Sequence, residues 1–185
     1  MRISGGEWRS RRVAGPPARS PVRPTPDALR EQAFAVLGAS LAGAVFLDLF
    51  AGTGVNSLEA LSRGATRAVL VDDSPAAAAL IRRNLAALGV EETRWELVVR
   101  PAVRAVRELA ERGLRPGVVW CDPPFAEWEL GPDALARALD AGLLAPGARV
   151  VLELPPRRTV EIPGLAVARE LRGAVLLRVA GLGTD

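Results

Sequence analysis

The sequence predicts an α/β fold, a doubly wound and mostly parallel seven-stranded sheet with helices on both faces. Three observations predict it. Between residues 44 and 154, short apolar runs alternate with helix-length amphipathic segments, the pattern of parallel strands joined by crossover helices. Gly, Pro or Asp stands at nearly every junction between them. The last two apolar runs, 165–171 and 174–180, meet at Gly173, a connection short enough only for an antiparallel pair at the sheet edge.

The elements follow in order. Residues 1–25 are rich in Arg, Gly, Pro and Ser and read as a basic hairpin or arm, with residues 26–185 as the domain proper. Thr25 is placed to cap a helix, with Pro26 in its first position and Asp27 favourable to its dipole. Leu29, Ala33, Phe34 and Leu37 recur at helical spacing, and Gly38 stops the run. Strand, helix and strand are then expected at 45–50, 55–63 and 68–71. A helix is expected at 75–88 between Pro75 and Gly89, then a strand at 95–99 and a helix at 102–112. A strand at 118–121, a helix at 132–141 and a strand at 149–154 precede the terminal pair.

Composition narrows the chemistry. The 185-residue chain is 49% hydrophobic, enough for a sizeable core built on Leu, Val and Ala. There is no His, and Cys121 is the one cysteine, so neither a disulfide framework nor a Cys- or His-based metal site is expected. Chemistry must run on carboxylates, backbone groups and Arg. No apolar run has the length of a membrane span and no signal-peptide core follows the basic start, so a soluble, cytoplasmic monomer is expected. The formal charge is +3, yet seven Arg against Glu7 and Asp27 fall within residues 1–30. A basic block beside a near-neutral domain is an electrostatic footprint for a phosphate backbone.

Three motifs carry the function. In Asp48-Leu49-Phe50-Ala51-Gly52-Thr53-Gly54, a strand passes into a helix through a glycine-rich turn, at the strand end where open α/β sheets bind ligands. The third glycine of a dinucleotide fingerprint is absent, since Ser57 stands there, and Asp48 precedes the turn. An acid suits the cationic amino-acid end of S-adenosylmethionine better than a pyrophosphate. Asp72, 18 residues after Gly54, is placed for ribose hydroxyls, with Asp73 able to share the role. The third motif, Asp122-Pro123-Pro124-Phe125, ends the fourth strand. A carboxylate and a rigidly held Pro123 carbonyl accepting both hydrogens of an aromatic amine would turn its delocalised lone pair toward a methyl donor. Phe125 would stack on a base turned out of its helix. The residues thus point to methyl transfer onto an exocyclic amine of a nucleic-acid base.

With these residues placed, the chain resembles the bacterial 16S ribosomal RNA guanine-N2 methyltransferases of the RsmD type along nearly its whole length. The resemblance rests on residues 1–9, on Val22-Arg23-Pro24-Thr25-Pro26-Asp27 with Arg30, Glu31 and Phe34, on residues 48–54 with 58–65, on Asn84-Leu85, and on 122–125. It implies a Rossmann-like class I methyltransferase sheet. It further implies donor contacts from Asp48, Phe50, Ala51, Gly52, Thr53, Gly54, Asp72, Asp73 and Ala102, and a target-amine site at Asp122, Pro123, Pro124 and Phe125. Arg9, Arg11, Arg12, Arg23 and Arg30 are the expected holders of nucleic acid, ribosomal RNA or the small subunit first and DNA second. Three stretches depart from the family pattern: Val55-Asn56-Ser57 replaces Ala-Leu-Gly, Pro101 replaces an acid, and Asp73-Ser74 replaces the residue-then-acid pair after the ribose carboxylate. A DNA N4-cytosine or N6-adenine methyltransferase and, from another class, a nicotinamide-dependent oxidoreductase are the alternatives.

Overall fold

A computed structural model of the chain describes residues 1–16 and 27–180. Arg23, Thr25 and Pro26 lie outside the described residues. One seven-stranded sheet has the order β3-β2-β1-β4-β5-β7-β6. Its first five strands are β1 (Val45–Leu49), β2 (Arg67–Asp72), β3 (Trp95–Val99), β4 (Val118–Cys121) and β5 (Arg149–Glu153), and they are parallel. β7 (Ala174–Val179) is antiparallel to β5 and to the edge strand β6 (Leu165–Leu171).

Helices cover both faces. α1 (Asp27–Leu37), α2 (Val55–Ser62) and α3 (Pro75–Leu88) lie on one, burying Phe34, Leu58 and Ile81 against Phe46, Leu70 and Trp120. α4 (Ala102–Glu111) and α5 (Leu130–Asp140) lie on the other, burying Val106, Leu109 and Leu135 against Leu47, Leu49, Val119 and Val150. β1 shows why: its alternate residues face opposite cores, as a doubly covered strand requires. α3 takes its ends from Ser74, whose hydroxyl accepts from the Ala77 amide, and from Gly89 in the left-handed conformation. Sequence periodicity missed single turns of 3-10 helix at Gly38–Leu41, Glu92–Arg94 and Phe125–Glu127.

The N-terminal segment packs onto the first face. Backbone bonds from Ile3 to Arg11, Ser10 to Ile3 and Val13 to Met1 fold it back on itself. Ile3, Trp8 and Val13 enter the core beside α1 and α2. A buried ionic cluster fastens it: Glu59 accepts from the Ser4 amide and hydroxyl, both at 2.7 Å, and from Arg63 Nε at 2.7 Å. Arg30 donates to the Arg2 carbonyl at 2.8 Å and pairs with Asp27 at 2.9 Å. This corrects one expectation from the sequence. Arg30 is 1% exposed, so it braces the N-terminal segment from within and is not available to a phosphate.

Candidate active site at the carboxyl ends of the strands

Parallel pairing sets the site. Leu49 lies level with Val71 on β2 and with Cys121 on β4, so Asp48, Asp72 and Asp122 crowd one rim of three adjacent strands. The turn after β1 is held under strain. Phe50 has a left-handed φ of 78°, which costs a side-chain-bearing residue about 1–3 kcal/mol. Two bonds to one acceptor hold it there: the Phe50 and Ala51 amides both donate to the Val71 carbonyl, at 3.0 and 2.8 Å. Gly54 then opens α2 in the left-handed region, where a Cβ would press on Leu70 and Ile81. Beside Gly52 nothing lies within 4 Å of where a side chain would start, which leaves room for a ligand against the backbone.

Asp48 is fully buried. Its Oδ2 accepts from the Ser57 hydroxyl at 2.8 Å, while Oδ1 has no partner. Burial first, then the charges of Asp122 and Asp72, push its carboxyl up to about 7. Asn56 Oδ1, on the first turn of α2, is likewise buried and unpartnered. Two orphaned acceptors beside an open glycine are a poor arrangement for an empty core and a good one for a cationic amine. Asp72 accepts from the Gly52 amide at 2.8 Å and from the Ser74 amide at 2.9 Å, which clamps the first turn to the second. Burial also raises the Asp72 carboxyl. Asp73 is exposed next to it. The Arg100 amide donates to the Asp72 carbonyl at 3.1 Å, which brings Pro101 and the buried Ala102, the start of α4, alongside. These residues fit S-adenosylmethionine: a carboxylate and an amide oxygen for its amine, a carboxylate for its ribose, and an apolar wall.

The amine site abuts this one. Pro123 is buried against Gly131 of α5, where a Cβ would meet it at 3.0 Å, and Pro124 and Phe125 face outward. Phe125 is 71% exposed, which leaves the face of its ring open to stack on a flat partner. Cys121 is buried, and burial with the nearby Asp122, Asp48 and Glu153 charges raises its thiol well above the ordinary value. Enclosed in the strand's core, it is also out of reach of a substrate.

Thr53 is buried, and its carbonyl accepts from Asn84 Nδ2 at 2.9 Å, so it ties the turn to α3. Arg9, Arg11 and Arg12 are exposed on the N-terminal segment, and Arg11 also donates to the Ala87 carbonyl at 3.1 Å. Asn56 and Ser57, seen in the sequence only as departures from the family pattern, stand beside Asp48, and one residue was overlooked: Glu153, which follows Leu152, the partner of Cys121, and so stands next to Asp122. Glu153 carries the same signal as the others, an acid closing a parallel strand.

Comparison with known proteins agrees with this fold. The family model described as conserved hypothetical protein 95 matches residues 1–174. Ribosomal RNA small subunit methyltransferase D of Escherichia coli is 37% identical over 153 residues, covering 83% of this chain and 74% of that protein. A hypothetical protein of Thermus thermophilus has a solved structure that is 30% identical, with a TM-score of 0.79 over 98% of this chain and 99% of that one. SMU.776, solved in complex with SAH, is 16% identical with a TM-score of 0.66, over 82% of this chain and 48% of that one, and shares the fold.

Proposed function

The chain belongs to the family described as conserved hypothetical protein 95, the RsmD methyltransferases, and from that premise we propose that it methylates the N2 amine of a guanine in small-subunit ribosomal RNA, with S-adenosylmethionine as donor. The observation that carries this reading is the meeting of two motifs on one rim: the acid-and-glycine turn at Asp48 to Gly54 abuts Asp122-Pro123-Pro124-Phe125.

When bound, the donor supplies an electrophilic methyl group on sulfur. The protein supplies the rest. Asp48 Oδ1 and Asn56 Oδ1 accept from the donor's amine, which favours the ionised form of Asp48. Asp72 has lone pairs left, beyond those taken by two backbone amides, for ribose hydroxyls. Asp122 and the Pro123 carbonyl accept the two hydrogens of the target amine, which turns its lone pair outward, and Asp122 is the base at hand for the proton the nitrogen must lose. Phe125 stacks on the extruded base. Within segment 1–25, Arg9, Arg11, Arg12 and Arg23 hold phosphates and position the RNA. The nicotinamide oxidoreductase alternative falls with membership of the family.

The test is nucleoside mass spectrometry after reaction of the protein and donor with small-subunit RNA, assembled small subunits and duplex DNA. N2-methylguanosine from the RNA or the subunits is expected. Methylated adenine or cytosine from duplex DNA alone would overturn the reading. Asp122→Ala should abolish turnover and leave calorimetric donor binding in place.

A further inference from the structure

A second basic surface lies away from the rim. Arg149 on β5, Arg169 on β6 and Arg178 on β7 line a groove of about 420 Å³ with Val36 of α1. Arg149 begins β5, four residues and about 13 Å from the level of Glu153 and the active site. Strand pairing forces the charges together: Arg149 stands directly opposite Arg178 in the antiparallel ladder. Like charges so placed are destabilising. Seven arginines outside the groove, Arg30, Arg63, Arg67, Arg100, Arg107, Arg112 and Arg137, have carboxylate partners, while exposed ones such as Arg82 and Arg104 share with the groove the lack of an ion pair among the described residues. Among the described residues, the three groove arginines have none, and the one hydrogen bond found for them is Arg149 to the Val36 carbonyl at 3.5 Å. Val167, which also lines the groove, is 55% exposed.

Protection of the sheet edge explains only part of this. β6 is an edge strand with an irregularity between Val167 and Arg169, and a charge there discourages pairing with another chain. Arg149 and Arg178 sit on strands paired on both sides, where no such protection is needed. An anion with charges at several points would relieve their repulsion.

We propose that this groove is a second phosphate-backbone site, gripping RNA at a distance from the target base. The inference rests on the RNA-methyltransferase reading above. Guanidinium groups suit phosphate because their planar donors pair with two oxygens at once. Such contacts fix register without reading sequence. Each neutralised phosphate releases bound counterions and steepens the salt dependence of binding by about 0.7–0.9.

The experiment uses the full chain, a transcript of small-subunit ribosomal RNA, and filter binding across a salt series. Replacing all three residues (Arg149→Gln, Arg169→Gln, Arg178→Gln) should flatten the slope of log affinity against log salt by about 2. The Lys triple substitution should retain most of the slope. Because the Gln variant loses a like-charge pair, its melting temperature should equal or exceed that of wild type, and its donor affinity by calorimetry should not change. An unchanged slope in a variant whose wild-type parent methylates RNA would sink the groove proposal and spare the function. A wild-type protein that neither binds nor methylates RNA would sink both. Displacement of the RNA by polyglutamate at matched charge would assign the groove to an acidic protein surface and overturn the RNA site.

Discussion

Asp48→Asn should make the protein more stable at neutral and alkaline pH while impairing its capacity to bind the donor. Asp48 is wholly buried and its carboxyl is pushed up to about 7 from 3.8. Below pH 3.8 the carboxyl is protonated in folded and unfolded chains alike, and no cost arises. Between 3.8 and 7 the unfolded chain gives up the proton first, so stability falls as pH rises, by about 1.4 kcal/mol per unit. Above 7 both states are ionised and the full cost remains, about 4 kcal/mol from a shift of roughly 3 units. Asparagine has the same shape and no charge. Its loss relative to aspartate is a weakened bond with the Ser57 hydroxyl, about 1 kcal/mol. The net gain at pH 8 should therefore be about 2–4 kcal/mol.

Urea midpoints measured from pH 5 to 8, with the slope m unchanged, would read this directly. The variant should retain a shallower decline from Asp72, whose carboxyl burial also raises. Donor affinity supplies the second arm. A cationic amine binds the ionised carboxylate, so wild-type affinity should rise with pH, approaching tenfold per unit below about 7, and level off above it. The variant should bind weakly at every pH. Identical pH slopes in the two proteins, or a variant less stable at pH 8, would refute the reasoning.

Glu59→Gln should destabilise the fold by about 3–5 kcal/mol in denaturant, because it neutralises the buried carboxylate that faces the buried Arg30 and the half-buried Arg63. Gly6→Ala should release the N-terminal segment: φ is 76° there and a Cβ would run into the Ser62 carbonyl that receives the Glu7 amide. The expected readouts are a red shift of tryptophan fluorescence as Trp8 leaves the core, and tryptic cleavage at Arg9 and Arg11. Phe125→Ala should change stability by no more than about 0.5 kcal/mol, since the ring is exposed, and should lower methyl transfer by a factor of about ten or more while donor affinity by calorimetry holds. A loss of melting temperature would assign the ring to packing instead.

The fold was legible wherever periodicity was long or punctuation strong. α3 begins at Pro75 and ends before Gly89, and β3, β4 and β6 occupy the expected residues, because each is an apolar run with a turn residue at its end. The 3-10 turns were not legible, since three or four residues carry no period. The rim could be read because one topological rule puts strand-terminal acids in one place, and Glu153 would have followed from the same rule. Arg30 was expected, with the other arginines near the N-terminus, to face nucleic acid, and it is buried instead. Its spacing held the answer, for Arg30, Ala33, Phe34 and Leu37 form one i, i+3, i+4, i+7 stripe, and all four are buried. The burial of Glu59 was beyond reach. It depends on Ser4, 55 positions away, coming to lie on α2, a contact that no local pattern encodes.

That long-range contact bears on why the basic segment and the donor turn belong to one functional unit. Asn84, 1% exposed on α3, uses its whole amide to join them. Its Oδ1 accepts from the Ala14 amide at 2.9 Å, and its Nδ2 donates to the Ala14 carbonyl at 3.0 Å and to the Thr53 carbonyl at 2.9 Å. One buried side chain thus fixes the backbone leading out of the segment and the backbone between Gly52 and Gly54. Moving either would leave polar atoms of Asn84 unpaired in the core, at about 1–3 kcal/mol for each orphaned group. The segment is therefore not a tail hung on a finished domain. Ile3, Trp8 and Val13 are core residues, and the family match includes the segment. The arginines carried on that segment are held in register with the turn that shapes the donor site. Register between phosphate contacts and reacting atoms is what an enzyme acting on one base of a long polyanion must secure.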